Sequence, residues 1–286
     1  MEIIFFDYYH PYAGLCNQLY LITNHIHNAC CLGKMIYIHK FNVDILKKNR
    51  QPFCNVFDIS KTNQNLRILT GYDVISCEPP ESVKFIPKLR IYPVSNIAIL
   101  NCLEFNETFL KKVEKIKKFN NYYSIHFRLE TDCILHYTFP KNVYDTFMDL
   151  VNTDEELALE YFRTLDKRLI NDYCEFLMKQ YLEFITQIGF DKPWYICTSI
   201  TKNKIHDYFN VYLNKLKSFI VNNGCDYFGC EKLYPERELN ALIDLLVLRD
   251  SQKMIGFTGS SFSEGYCYKV NEIRKVTEQF LFVKEK

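Results

Sequence analysis

The first forty residues change between strand-like and helix-like patterns of hydrophobic positions. Residues 2–9 are rich in Ile, Phe and Tyr, which predicts a strand. Residues 15–32 carry apolar side chains near a 3.6-residue period, which predicts a helix that Gly33 ends. Residues 35–39 form the next apolar run. The pattern therefore predicts a strand–helix–strand unit at the start of the chain.

The pattern becomes irregular in the next part of the chain. Residues 50–105 contain Pro at positions 52, 79, 80, 87 and 93, which favours short strands and loops. Residues 106–119 then show one apolar face on a basic background, which predicts a helix. We expect a domain boundary close to the end of this helix.

A second series of alternating elements begins near residue 121. The predicted order is strand 122–127, an irregular stretch near 138–143, helix 169–188 ending at Gly189, strand 194–198, helix 204–216, strand 218–221, helix 238–249, strand 253–257 and helix 261–269. Strands that alternate with helices imply a parallel sheet, and ligands bind at the carboxyl ends of its strands. The fold class predicted is α/β, with two Rossmann-like domains over residues 1–118 and 119–286.

Composition narrows the classes of protein. A net charge of +1 gives no field that would favour nucleic acid as a partner. The 12 cysteines lack paired spacing, and the start of the chain lacks the features of an export signal, so we expect a cytoplasmic protein with reduced thiols. No apolar run approaches 18 residues, so we expect no membrane span.

Two stretches of the sequence are the most informative about function. Ser124–Asp132 reads as a buried strand that ends in Arg128, whose planar guanidinium matches phosphate oxygens two at a time. Gly256–Ser263 reads as a strand that opens through Gly and Ser into a helix start, which offers backbone N–H groups and a positive dipole. Together they suggest a diphosphate site.

Each residue of the first stretch also has a plainer interpretation. His126 shares a strand face with Arg128, but a lone histidine is often a satisfied core residue. Arg128 could instead form a surface salt bridge with Glu130 or Asp132. The acid–x–acid pair Glu130 and Asp132 could hold a divalent cation, although such triplets are common on surfaces.

Two further turns or helices carry polar residues at positions where ligands bind. Gly14 and Asn17 lie between the first strand and the first helix, but the full G-x-G-x-x-G of dinucleotide sites is absent. Asp244 lies on a mostly apolar helix, where an acid normally needs a partner. It could accept hydrogen bonds from a base or ribose, or pair with Arg237 or Arg249.

These motifs resemble a known family. The His126-Phe-Arg128 pair resembles the His-x-Arg motif of GDP-fucose-dependent fucosyltransferases, especially the protein and plant O-fucosyltransferase-like branches. Residues 237–244 followed by 256–263 resemble the acid-bearing helix and Ser-Ser-Phe-Ser turn of that superfamily. Gly14-x-x-Asn17-Gln resembles its first-strand turn. The three motifs stand in the family's order and span nearly the whole chain.

The resemblance implies a GT-B fold and transfer of a sugar, fucose, from a nucleoside-diphosphate donor to a glycan hydroxyl with inversion. It implies no metal and no further cofactor. It also implies an acceptor-side first domain and a nucleotide-sugar-binding second domain. Arg128 would bind the diphosphate and stabilise the leaving group. The residues implied around the donor are Gly14, Asn17, His126, Arg128, Asp244, Gly259, Ser260, Ser261 and Phe262.

The chain also departs from the family. The arginine that precedes the first turn in protein O-fucosyltransferases is absent, and Tyr12-Ala13 stands there. Another donor such as UDP-xylose, or a non-catalytic glycan-binding role, therefore remains an alternative. The acceptor hydroxyl needs a base. The candidates are Asp7, His10, Glu130 and Asp132.

Overall fold

The structure is a computed structural model that describes residues 3–7, 14–44, 49–80, 97–202, 204–229, 234–258, 260, 262 and 272–276. Its strands are β1 (Ile3–Phe6), β2 (Met35–Ile38), β3 (Lys40–Asp44), β4 (Asn49–Pro52), β5 (Tyr123–His126), β6 (Trp194–Cys197), β7 (Tyr227–Gly229), β8 (Lys253–Phe257) and β9 (Glu272–Val276). Its helices are α1 (Leu15–Cys31), α2 (Phe53–Val56), α3 (Ile59–Thr70), α4 (Ile97–Cys102), α5 (Glu107–Ile116), α6 (Thr131–Thr138), α7 (Lys141–Thr153), α8 (Glu155–Thr164), α9 (Lys167–Ile188), α10 (Asn210–Asn222) and α11 (Arg237–Arg249).

The chain divides into two compact units. The first contains residues 1–116 and 234–243, and the second contains residues 117–233 and 244–286. Helix α11 therefore begins in the first unit and ends in the second.

The first unit begins with the predicted strand–helix–strand arrangement. Strands β1 and β2 pair in parallel, with Ile3 opposite Met35, and α1 connects them. Gly33 follows α1 at φ 62°, a left-handed conformation that favours glycine. The buried side chains of α1, such as Leu19 and Ile26, recur at helical spacing.

The default prediction of strands and loops for residues 50–105 was wrong in part. Residues 59–70 form α3, where Asp58 Oδ1 accepts a hydrogen bond from the Lys61 N–H at 3.0 Å and Gly71 ends the helix at φ 80°. These two residues are ordinary helix boundary signals. The prolines on either side of the helix instead favoured the prediction of short strands and loops.

The second unit is built on a five-stranded parallel sheet in the order β7-β6-β5-β8-β9. The prediction of a parallel sheet is confirmed. Strand β5 lies at the centre, with Ser124 between Tyr195 of β6 and Met254 of β8. Because the strands are parallel, the residues that follow β5 and β8 emerge at the same edge of the sheet.

The two faces of this sheet differ in chemistry. One face is apolar and packs in a hydrophobic cluster with α9 and α10; it carries Tyr123, Ile125, Phe127, Trp194, Ile196, Ile255 and Phe257. The other face, which we call the polar face, carries Tyr122, Ser124, His126, Tyr195 and Cys197, because side chains alternate along each strand. The second half of α11 covers part of the polar face through the Tyr122 hydroxyl, which donates to the Val247 carbonyl at 2.7 Å.

Helix α9 is confirmed, including Gly189 at its end. The predicted strand over residues 218–221 was wrong, since these residues lie inside α10, where Leu213, Leu216 and Ile220 are buried at helical spacing. The edge strand is instead β7.

Two further predictions for the second unit need correction. The predicted helix 204–216 begins as a 3₁₀ segment, Lys204–Phe209, before α10 continues it. The stretch near 138–143 is not irregular as a whole, because α6 ends at Thr138 and α7 begins at Lys141, which leaves only two residues between them. Of the predicted helix 261–269, all but residue 262 lie outside the described residues.

Candidate functional site

Arg128 lies just past the carboxyl end of the central strand β5 and is half-buried. Its Nη1 donates a hydrogen bond to the Ser260 Oγ at 2.9 Å. Ser260 is 2% exposed and lies three residues past the end of β8. The structure therefore joins the two stretches that the sequence singled out. The plainer interpretation of Arg128, a surface salt bridge, does not describe it.

The guanidinium of Arg128 is bonded to neutral groups, and two acids lie nearby. It donates to the buried thiol of Cys133, and its Cζ lies 5.9 Å from the centre of the Phe257 ring. Its Nε is buried and has no hydrogen-bond partner among the described residues. Burial lowers the pKa of Arg128, but Cys133, Glu130 and Asp132 raise it and prevail. A cation held this way keeps donor capacity for an external anion.

Tyr181 holds the backbone that presents Arg128. Its buried hydroxyl donates to the His126 carbonyl at 2.8 Å and accepts from the Arg128 N–H at 3.1 Å. Burial raises the pKa of this hydroxyl, so it stays protonated and can play both roles. The strand end is thus fixed from the apolar side of the sheet.

His126 and Phe262 form an aromatic pair at the same edge of the sheet. Their ring centres are 4.9 Å apart and the planes are tilted by 41°. His126 is 5% exposed, and it lies on the polar face. The predicted residues Gly259 and Ser261 lie outside the described residues.

Glu130 and Asp132 flank the start of α6, close enough to Arg128 to raise the pKa of its guanidinium. Glu130 is the residue before the helix, and its side chain does not cap it. The helix start is held instead by His206, whose Nδ1 accepts from the Thr131 N–H at 3.1 Å. Both acids are half-buried.

Asp244 lies on α11 with 8% of its surface exposed. Its Oδ1 accepts a hydrogen bond from the Tyr195 hydroxyl at 2.6 Å. Tyr195 is the neighbour of Ser124 across the sheet, so Asp244 lies above the polar face that also carries His126. The sequence had offered Arg237 or Arg249 as partners, and it gave no signal for Tyr195.

The predicted residues of the first unit are placed differently. Gly14 precedes α1 at φ −59°, which any residue adopts, and a Cβ there would meet no described atom within 4 Å. Asn17 is exposed in the first turn of α1. Asp7 is paired with Arg50 through both carboxylate oxygens, one of them 3.4 Å from Arg50 Nη1. His10 lies outside the described residues.

Sequence reasoning missed Tyr181, Tyr195 and Cys133 as parts of the site. Tyr181 belongs to the buried apolar face of the long helix α9. A sequence does not distinguish such a residue from one that only packs in the core, because its role depends on which strand end its polar atom reaches.

An open groove with a volume of about 530 Å³ lies elsewhere, between α9 and α10. It holds none of the predicted site residues. Two charged groups on its lining neutralise each other, since Lys215 Nζ lies 2.7 Å from a Glu175 oxygen. We therefore favour the edge of the sheet at Arg128 as the functional site.

The described residues show neither a membrane-crossing helix nor a ready-made metal site. No helix in the described ranges has the length and apolarity to cross a membrane. No group of three or more His, Cys, Asp and Glu side chains is arranged there to hold a metal ion.

Comparison with known proteins rests on structure. No family model and no curated protein matches the sequence. The structure of POFUT1 in complex with GDP matches 96% of this chain and 98% of its own chain with a TM-score of 0.58 at 10% identity. The fucosyltransferase NodZ from Bradyrhizobium gives a TM-score of 0.48 at 12% identity, over 95% of this chain and 94% of its own. The predicted α/β class with parallel sheets is confirmed, and the chain has the GT-B fold of POFUT1.

Proposed function

We propose that the protein is a glycosyltransferase that takes a sugar from a nucleoside-diphosphate donor, GDP-fucose, and transfers it to a glycan hydroxyl. The observation that carries the proposal is the contact between Arg128 and Ser260 at the carboxyl edge of the second sheet. The fold supports it, because POFUT1 was crystallised with GDP and has the same fold.

The diphosphate would lie against Arg128 and Ser260. As the bond between sugar and phosphate breaks, negative charge grows on the departing nucleoside diphosphate. A guanidinium already fixed in place stabilises that charge without rearrangement of the protein. Its direct partners are a hydroxyl and a thiol, and Glu130 and Asp132 nearby raise its pKa, so it stays a cation. This supports transfer that needs no metal ion.

The nucleoside would lie over the polar face. Phe262 offers a ring for a base, and Asp244 offers a carboxylate that can accept from a guanine edge or from ribose hydroxyls. Both lie on the side of the sheet that also carries His126. Donor recognition is thus assigned to the second unit.

For the acceptor base, Glu130 and Asp132 are better placed than Asp7. Both lie near Arg128, whereas the Asp7 carboxylate is already paired with Arg50. Transfer with inversion, by direct displacement from the opposite side of the sugar, is the mechanism that such a base would serve.

A thermal-shift panel of sugar nucleotides tests the proposed function. A ligand that binds the native state raises the unfolding temperature in proportion to the logarithm of its concentration over Kd. We expect GDP-fucose and GDP to stabilise the protein more than UDP-xylose and UDP. Stabilisation by the UDP compounds alone would show that the donor is a UDP-sugar and not GDP-fucose. A second assay follows transfer from GDP-fucose to a panel of glycans by mass spectrometry, and it distinguishes an enzyme from a binding protein.

A further inference from the structure

The hydroxyl of Tyr195 donates a hydrogen bond of 2.6 Å to the carboxylate of Asp244, near the proposed nucleoside site. A hydrogen bond to an ionised carboxylate is stronger than one between neutral groups. A carboxylate offers about four acceptor positions, so one such bond does not by itself fill them. It also selects one orientation of a side chain whose terminal torsion is otherwise broad.

The ring of Tyr195 is itself held in place. It is 2% exposed and packs against Phe228, with ring centres 5.2 Å apart. Gly229 lies beside it at φ 95°, and a Cβ there would come within 2.7 Å of both the Tyr195 ring and the Ile196 carbonyl. Only glycine combines this backbone conformation with this closeness. The hydroxyl therefore reaches Asp244 from a fixed position.

A second tyrosine makes a similar bond to the same helix. The Tyr122 hydroxyl donates to the Val247 carbonyl of the same helix at 2.7 Å, and Tyr122 is 1% exposed. Both hydroxyls fix α11 to the polar face, but only Tyr195 binds a carboxylate proposed to contact the donor. Tyr122 is therefore a matched control for any effect on packing or stability.

We propose that Tyr195 is a positioning residue for donor recognition. Its hydroxyl holds the Asp244 carboxylate in the orientation that accepts hydrogen bonds from the nucleoside half of the donor. This inference rests on the proposed function. It adds that binding of the nucleoside, and not of the diphosphate, depends on a hydroxyl that the ligand does not touch.

The test is calorimetric titration of the full chain with GDP and with inorganic pyrophosphate. Tyr195→Phe removes the hydroxyl and keeps the ring that Gly229 accommodates. We expect GDP to bind about tenfold more weakly to Tyr195→Phe, with the affinity for pyrophosphate unchanged. Tyr122→Phe should bind both ligands within about twofold of the parent. An equal loss of GDP affinity in the two variants would overturn the proposal.

A double-mutant cycle provides the second readout. If Tyr195 acts through Asp244, Tyr195→Phe should weaken GDP binding in the parent but cause no further loss in an Asp244→Ala background. Independent, additive losses would reject the positioning role while leaving the proposed function intact. A parent protein that binds pyrophosphate but no GDP would reject the proposed function, and the role of Tyr195 with it.

Discussion

The two faces of the five-stranded sheet are formed by the same strands and have different roles. The apolar face presents Ile125, Ile196 and Ile255 side by side, with α9 and α10 packed over them. The polar face presents Ser124 between Tyr195 and Met254, and its polar groups are hydrogen-bonded to α11 and the loop after it. Ser124 Oγ, for example, lies 2.7 Å from Ser251 Oγ.

The difference separates stability from recognition. Burial of apolar side chains is the main favourable term in folding, so the first face accounts for much of the stability of this unit. Buried polar groups add little net stability even when they are satisfied. Their concentration on one face of the sheet is instead typical of a binding site.

The largest effect that the comparison predicts is on the apolar face. Leu177 of α9 is 0% exposed within the apolar cluster. We expect Leu177→Ala to lower the free energy of unfolding by about 2–5 kcal/mol, because it removes buried carbon and leaves a cavity. Urea unfolding measures it. Leu157→Ala, at a position 46% exposed, is the control and should change stability by less than about 0.5 kcal/mol. Loss of GDP affinity by folded Leu177→Ala would contradict the assignment of stability to one face and recognition to the other.

The next effect is on catalysis at the edge of the sheet. Arg128→Ala should cost at least about 3 kcal/mol in transition-state stabilisation, the amount that one preorganised electrostatic donor supplies. The measurement is kcat/KM for sugar transfer from GDP-fucose. Arg163→Ala, an exposed arginine in the last turn of α8, is the matched control and should transfer at the parental rate. Near-parental turnover by folded Arg128→Ala would remove this residue from the mechanism.

Tyr181 connects the two faces, because its ring belongs to the apolar cluster and its hydroxyl reaches the Arg128 N–H. Tyr181→Phe leaves that N–H without its acceptor, which should cost about 1–3 kcal/mol of stability. Thermal unfolding followed by circular dichroism checks this. The control is Tyr208→Phe, whose half-exposed hydroxyl bonds Asn171 at 2.8 Å and can be replaced by water. Equal, small effects in both variants would show that the end of β5 does not depend on the Tyr181 hydroxyl for its stability.

The smallest expected effect concerns metal ions. If Arg128 neutralises the diphosphate as proposed, no metal ion is needed there, so we expect transfer in excess EDTA at the parental rate. Initial rates with EDTA, and after readdition of Mg²⁺ or Mn²⁺, measure this. A rate abolished by EDTA and restored by either ion would assign a ligand role to Glu130 and Asp132.

Much of the fold could be predicted from the pattern of the chain. Helix α9 was placed to within two residues at its start, because its long apolar period ends at a glycine. Helix α3 was missed although Asp58 and Gly71 mark its ends, since prolines nearby favoured loops. The strand predicted at residues 218–221 failed because β-branched and aromatic residues also fit a buried helix face.

The contact between Arg128 and Ser260 could be expected from the sequence, whereas the tyrosines that hold the candidate site in place could not. Arg128 and Ser260 each follow a strand of a parallel sheet. Because the carboxyl ends of parallel strands lie at the same edge, the two residues were expected to lie close together. The bonds of Tyr181 and Tyr195 depend on which residues face each other between strand and helix. That register is set by packing of the whole unit, which a single sequence does not encode in local spacing.

The central claim is that a nucleoside diphosphate binds at the carboxyl edge of this sheet, on its polar face. A crystal structure of the protein grown with GDP tests it most directly. The account predicts phosphate oxygens within about 3 Å of the Arg128 guanidinium and the Ser260 hydroxyl, which is hydrogen-bond distance. It also predicts the nucleoside beside Asp244. GDP bound elsewhere, with Arg128 still bonded only to Ser260 and Cys133, would contradict the account.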